Sequence, residues 1–400
     1  MIAMADDVHC GGSGSASAPA DPERERPGDE VLLARAYLSA VAEPPAPALT
    51  GFVAQQGAVR AAERVRAGEV PSEVADEVQA RGEHVSGERG LEQAESRGVR
   101  LIVPEHSEWP REVFSCFTDA TAIGIPGFAE PLALWARGES ALDELLHHSV
   151  AMVGARAASG YGEHLAAEWA HRLATAGITV ISGAAYGIDG AAHRGALTAG
   201  GPTVAITACG IDRDYPAGHS RLLAGIAERG LVLSEHAVGT PPRKHRFLVR
   251  NRLIAAAGLG TVVVEAGARS GASNTANSAD CLGRPVMAVP GPVTAASSVG
   301  CHEMVRSGKA ILVCGPDQVL EAINPLGQAP PVEAQPGHRA TDDLDPGAQR
   351  VHDAMPPGVG ASADELARDS GVPLRKVRAV LPVLELAGLV ERQEGGWVRR

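Results

Sequence analysis

The chain has 400 residues, of which 44% are hydrophobic and only 3% aromatic, and it carries a formal net charge of −12 at pH 7. That length exceeds one typical domain, and the apolar fraction is ample for a sizeable core, so two or three folded units are expected. No apolar run is long enough to span a bilayer, and the N-terminus has neither a basic n-region nor an apolar h-region. Membrane association and a signal peptide are therefore not expected, and the expected location is cytoplasmic.

The six cysteines (Cys10, Cys116, Cys209, Cys281, Cys301, Cys314) are scattered, without the CxxC or Cys/His spacing of a metal site. No metal and no cofactor is expected, and a reducing compartment is the simplest setting.

Residues 1–29 are rich in Gly, Ser, Ala, Pro and charge, and are expected to form a disordered tail. Residues 30–97 read as a small helical domain, with Val31, Ala34, Leu38 and Val41 on one helical face. Further short helices are expected over 58–67 and 72–80, split by Gly68 and Pro71.

Residues 98–325 read as the main domain. A strand opens it at 98–103, and Trp109 and Trp135 read as core or junction residues. From Ser149 onward, short apolar strands alternate with helical segments. The strands are expected at 150–153, 178–181, 203–207, 231–233, 261–264, 286–289 and 310–313. Continuous apolar strands separated by helices predict an α/β fold with a doubly wound, Rossmann-like parallel sheet.

Residues 326–347 lack periodicity and read as a linker. Residues 348–400 give three helices and a two-stranded hairpin, the order of a winged helix. Ser362 and Glu365 have capping-box spacing. Arg375, Lys376 and Arg378 lie where such a domain reads a groove, but Glu385, Glu391 and Glu394 dilute the charge. DNA contact and protein contact both stay open for this unit.

In an open parallel sheet, ligands bind outside the carboxyl ends of the strands. The first such loop, Gly154 to Gly162, is not GxGxxG, which disfavours a dinucleotide. It still places Arg156 and backbone N–H groups near a helix N-terminus, a setting for an anion. The second, Ser182 to Gly190, carries Gly183, Gly187 and Gly190, with Asp189 as a helix cap or a ligand. His193 reads as a buried, hydrogen-bonded residue. The fifth strand leads to Ser270 and Gly271 at another helix start. There is no Walker A sequence.

Against the acidic total, residues 241–252 hold five Lys or Arg and one aromatic, and no Asp or Glu lies between Glu235 and Glu265. Lys244, Arg246, Phe247 and Arg250 therefore form a cationic island with one ring, the footprint of a polyanion site. Arg252, about 200° round the helix from Arg250, is expected to point away.

The stretch from Ser182-Gly183 through Gly187-Ile188-Asp189 to Ala192-His193-Arg194-Gly195-Ala196-Leu197 resembles the SGxAxGIDxxAHxxAL signature of the DprA/Smf DNA-processing family. Tyr215-Pro216, Ser234-Glu235, Phe247 to Ile254, Ser270-Gly271 and Val289-Pro290-Gly291 follow in family order, so the resemblance spans roughly residues 99–323. It implies a sequence-independent single-stranded DNA-binding protein, not an enzyme. Such a protein would protect incoming or recombining strands, help load a RecA-type recombinase in natural transformation and homologous recombination, and act as a homodimer. The DNA-binding residues it implies are Arg156, Ser159, Lys244 (with Arg243 and Arg246 as near alternatives), Phe247, Arg250 and Asn251, to which the reading of the strand-end loops adds Gly154, Ser182, Gly183, Ser270 and Gly271, with Arg246 kept from the cationic island. Tyr186 departs from the Arg usual before Gly-Ile-Asp.

Two other readings compete. One is a nucleotide-binding enzyme of the phosphoribohydrolase type on the same sheet edge, against which stands the absence of a carboxylate in the loop 269–275. The other is a transcription regulator whose winged helix binds duplex.

Overall fold

The computed structural model describes residues 27–82, 85–268, 270–324, 341, 344–356, 358–393 and 395–400. Most of the expected tail and linker thus lies outside the described residues. The chain divides into two compact units, Met1–Pro330 and Pro331–Arg400.

The first unit begins with five helices: α1 (Asp29–Val41), α2 (Pro47–Gln56), α3 (Ala58–Ala67), α4 (Ser72–Val78) and α5 (Gly87–Glu95). The spacing of Ala34, Leu38 and Val41 puts them on one face of α1, where they pack with Leu49, Phe52, Ala61, Val65 and Val74. Gly68 ends α3 in a left-handed conformation, and Pro47 occupies the first turn of α2, where its missing N–H costs nothing. α2 and α5 go beyond the helices read from sequence.

A sheet follows: β1 (Val99–Ile102), α6 (Arg111–Ala122), β2 (Leu134–Arg137), α7 (Leu142–His147), β3 (Ser149–Val153), α8 (Gly160–Thr175), β4 (Thr179–Ser182), α9 (Ile188–Thr198) and β5 (Thr203–Thr207). It continues with α10 (Ser220–Arg229), β6 (Leu231–Ser234), α11 (Lys244–Ala257), β7 (Thr261–Val263), α12 (Gly271–Cys281), β8 (Val286–Ala288), α13 (Val299–Arg306), β9 (Ile311–Leu312) and α14 (Pro316–Ile323). The order across the nine-stranded sheet is β1-β2-β6-β5-β4-β3-β7-β8-β9. β3 to β9 pair in parallel, while β2 is antiparallel to both β6 and β1. The expected parallel sheet is therefore extended at one edge by an antiparallel strand, and Trp135, read as a core residue, is the fully buried centre of that strand.

Side chains alternate across the sheet as strand geometry requires. Val150 and Met152 face a core shared with Trp169 and Leu173 of α8 and Ile188 and Ala192 of α9. Ala151 and Val153 face the opposite core, with Leu253 and Ile254 of α11 and Ala276 of α12. Helices therefore cover both faces, as a parallel sheet demands. α8 and α9 cross so closely that a Cβ on Gly195 would lie 2.1 Å from the Ala167 carbonyl oxygen, and only glycine fits there.

Strand order runs outward from β3 to β6, then returns to β7 on the other side of β3. The chain reverses between β3 and β7, and their carboxyl ends open a crevice there.

The second unit holds α15 (Pro346–Asp353), α16 (Ala363–Ser370), α17 (Leu374–Leu386) and the hairpin β10 (Val390–Gln393) and β11 (Gly396–Arg399). The capping box forms: the Ser362 hydroxyl accepts from the Glu365 N–H, and the Glu365 carboxylate accepts from the Ser362 N–H at 2.8 Å. Arg375, Lys376 and Arg378 are exposed on α17, and so are Val383 and Leu386.

Candidate nucleic-acid interface

A cavity of about 850 Å³ opens at the β3/β7 crevice. Gly154 and Arg156 come from the loop after β3, and Tyr215 from the loop after β5. Arg243, Lys244, Phe247, Arg250 and Asn251 come from the start of α11, and Ser270 and Gly271 from the start of α12. Eight of the twelve residues read from sequence thus line one cavity, and segments more than 100 residues apart in the chain meet in it.

The lining splits into a fixed floor and an open wall. Arg250 belongs to the floor. It is buried, and its Nη1 donates to the Gly183 carbonyl at 2.9 Å and to the Ile206 carbonyl, tying the ends of β4 and β5 to α11. Burial pulls its guanidinium down to about 10, against the upward pull of the Asp189 carboxylate. Asp189 is buried too, and that burial raises its carboxyl while Arg250 opposes the rise. Its Oδ2 accepts from the Gly183 and Ala185 N–H groups at 3.2 and 3.4 Å, so it shapes the loop ahead of α9 and is not that helix's N-cap. Asn251 donates to Asn274 Oδ1 at 3.0 Å and holds the start of α12.

The open wall is cationic and aromatic. Arg156, Arg243 and Lys244 are exposed, and none of their charges meets a carboxylate among the described residues. The Arg156 guanidinium lies over the Phe247 ring at 5.1 Å, and the Tyr215 ring packs on Phe247 with centroids 5.3 Å apart. Ser270 caps α12 by accepting from the Ala272 N–H, and the positive end of that helix stands at the cavity edge.

Four residues expected at the interface are placed elsewhere. The Ser182 hydroxyl is fully buried and donates to the Met152 carbonyl at 2.6 Å. Gly183 is buried beneath Arg250, where a Cβ would lie 2.2 Å from Nη1. Ser159 caps α8, accepting from the Gly162 N–H while donating to Glu265. Arg246 is buried against Glu43 and the Pro241 carbonyl. Each has its hydrogen-bonding capacity or space taken up within the fold.

Arg252 forms a buried ion pair with Glu235 at 2.6 Å, on the side of α11 away from the cavity. Tyr186 does not line the cavity either, and packs edge-on against His219. Glu265 has a role that the sequence pattern does not assign: its carboxylate accepts from the Ser159 N–H at 2.9 Å and from the Ser297 hydroxyl at 3.1 Å, fixing the loop that carries Arg156. Its place two residues past the carboxyl end of β7 is the signal that points to it.

A family model described as DNA recombination-mediator protein A matches residues 100–324, more than half of the chain. The chain belongs to the DprA family. A second model, the DprA winged helix domain, matches residues 335–396 and bears out the winged-helix reading. A DNA processing protein DprA of Mycobacterium tuberculosis is 47% identical over 369 residues, covering 92% of this chain and 94% of its own. The Smf protein of Escherichia coli is 37% identical over 276 residues, 67% of this chain and 72% of its own. The crystal structure of DprA from Streptococcus pneumoniae superposes with a TM-score of 0.59 at 27% identity, covering 73% of this chain and 97% of that one. The family placement gives the chain a DNA-processing, recombination-mediator role. Within it, the DprA core carries the cavity, and all of the motif residues that line it fall inside the matched span.

Proposed function

We propose that this protein binds single-stranded DNA regardless of sequence, shields incoming or recombining strands, and helps load a RecA-type recombinase while acting as a homodimer. The observation that carries this reading is one wall on which three cations without carboxylate partners among the described residues, Arg156, Arg243 and Lys244, stand beside two rings, Phe247 and Tyr215. Cations take phosphates, and π faces take any base, which is what sequence-neutral binding needs. Asp189 is the one carboxylate among the described lining residues, and its Oδ2 is engaged by two loop N–H groups. That favours binding over catalysis.

Fluorescence anisotropy with labelled oligo-dT and a duplex of equal length tests the reading. Single-strand preference is expected, and duplex preference would end it. A chain truncated after Pro330 should keep oligo-dT binding, which separates a DNA site in the core from one in the winged helix. Copurification of a RecA-type recombinase with the protein on single strands tests the partner, and sedimentation tests the homodimer.

A further inference from the structure

We infer that Tyr215 supplies a second stacking surface for a nucleobase, next to Phe247, in the cavity read above as the single-strand site. The inference rests on that reading. Phe247 is crowded: Arg156 lies over its ring at 5.1 Å, Arg250 approaches at 6.0 Å, and Tyr215 tilts against it at 5.3 Å and 51°. A base reaching Phe247 must displace a guanidinium or share the ring with it. Tyr215 is less encumbered. Its side chain lines the cavity, is 41% exposed, and its hydroxyl makes no hydrogen bond among the described residues.

The other exposed tyrosines are engaged differently. Tyr161 donates its hydroxyl to the Pro290 carbonyl at 2.9 Å, and Tyr186 lies outside the cavity, edge-on to His219. A large ring left open beside cations that no described carboxylate meets is how a single-strand site presents a platform for bases. Phe247 then backs the Tyr215 ring, and Arg156 and Lys244 take the phosphates on either side.

Oligo-dT carrying one 2-aminopurine reports stacking through quenching of its fluorescence. Bound to the full-length protein it should be quenched. Tyr215→Phe should keep both the quench and the affinity, because the ring remains. Tyr215→Leu should lose the quench and weaken binding by about tenfold, with the salt slope unchanged because no charge is removed. Wild-type quench and affinity in Tyr215→Leu would overturn the inference, and so would weaker binding with the quench retained. A variant-independent check is photocrosslinking of 5-iodouracil oligonucleotide to the wild-type protein. The adduct is expected on Tyr215, and adducts only on other residues would count against it. Failure of the wild-type protein to bind single strands would instead sink the reading of the cavity itself.

Discussion

Glu43, in the turn after α1, accepts from Nε and Nη2 of Arg246 at 2.6 and 3.0 Å, joining the helical N-terminal segment to the first turn of α11. Arg81 and His245 donate to the same carboxylate. Burial alone would raise the Glu43 carboxyl, but hydrogen bonds from Arg246, Arg81 and His245 outweigh it and hold the group at about 2. Its ordinary value is 4.5. A carboxyl depressed in the folded state adds stability that is fully present above its unfolded value and is lost as pH falls through the folded one. The contribution of Glu43 should therefore hold above about pH 4.5 and fade toward pH 2. Glu43→Gln is expected to cost about 1–2 kcal/mol at pH 7, allowing for partial solvent screening, and to remove that acid-range dependence. Urea unfolding at a series of pH values measures both.

Gly183→Ala should act through Arg250. The added methyl would sit 2.2 Å from Nη1, so the guanidinium must leave the Gly183 and Ile206 carbonyls or the β4–α9 loop must shift. Overpacking of this kind costs about 1–3 kcal/mol. A lowered denaturation midpoint together with weaker oligo-dT binding is expected. Weaker binding at unchanged stability would instead mean that Gly183 touches the strand.

The parallel strands were legible because each is a short apolar run bounded by Gly or a polar turn, as at Val150 to Val153 before Gly154. β2 was not, because four residues around Trp135 look the same whether they form a strand or fill a core. α2 and α5 were obscured by Gly51, Gly87 and Gly90, which read as breakers when tertiary packing is unknown. In the cavity, the sequence showed where cations cluster but not which were already partnered. Arg246 is matched by a carboxylate 203 residues away, and the Ser182 hydroxyl is taken by a carbonyl on the neighbouring strand. Neither pairing leaves a local pattern. Tyr215 was visible only as half of a motif, because its value depends on packing against a helix that starts 29 residues later.

His193 should make stability fall as the solution is acidified. Its Nδ1 lies 2.7 Å from the Thr203 hydroxyl, which itself donates to the Val180 carbonyl. Thr203 can only accept from the ring, so the proton sits on Nδ1, and Nε2 is left buried without a partner among the described residues. Protonating Nε2 would bury an unpaired cation. Burial, reinforced by His219, Arg194 and Arg250, accordingly holds the ring at about 3, below its ordinary 6.5. The unfolded chain binds this proton first, so stability should be full above about pH 6.5 and decline as pH falls toward 3. His236, pulled to about 4 mainly by burial, acts in the same direction. Urea midpoints at pH 7.5, 6 and 5 should fall in that order. His193→Gln should be less stable at pH 7.5 but show a shallower decline.

Lys244 and Arg246 stand two residues apart on α11 and should behave oppositely. Lys244 is exposed on the cavity wall with no side-chain partner among the described residues. Arg246 is buried and its charge is matched by Glu43. On single strands, each phosphate contact contributes a log-log salt slope of about −0.7. Lys244→Ala should flatten the slope of oligo-dT affinity against salt by about that amount, with folding stability unchanged. Arg156→Ala should do the same while also freeing the face of Phe247. Arg246→Ala should leave the slope at the wild-type value and lower the denaturation midpoint, because it removes two of the hydrogen bonds that hold the Glu43 carboxylate, leaving Arg81 and His245. Anisotropy titrations from low to moderate salt, paired with urea unfolding of each variant, decide between the roles. A flattened slope in Arg246→Ala at full stability would return that residue to the DNA interface.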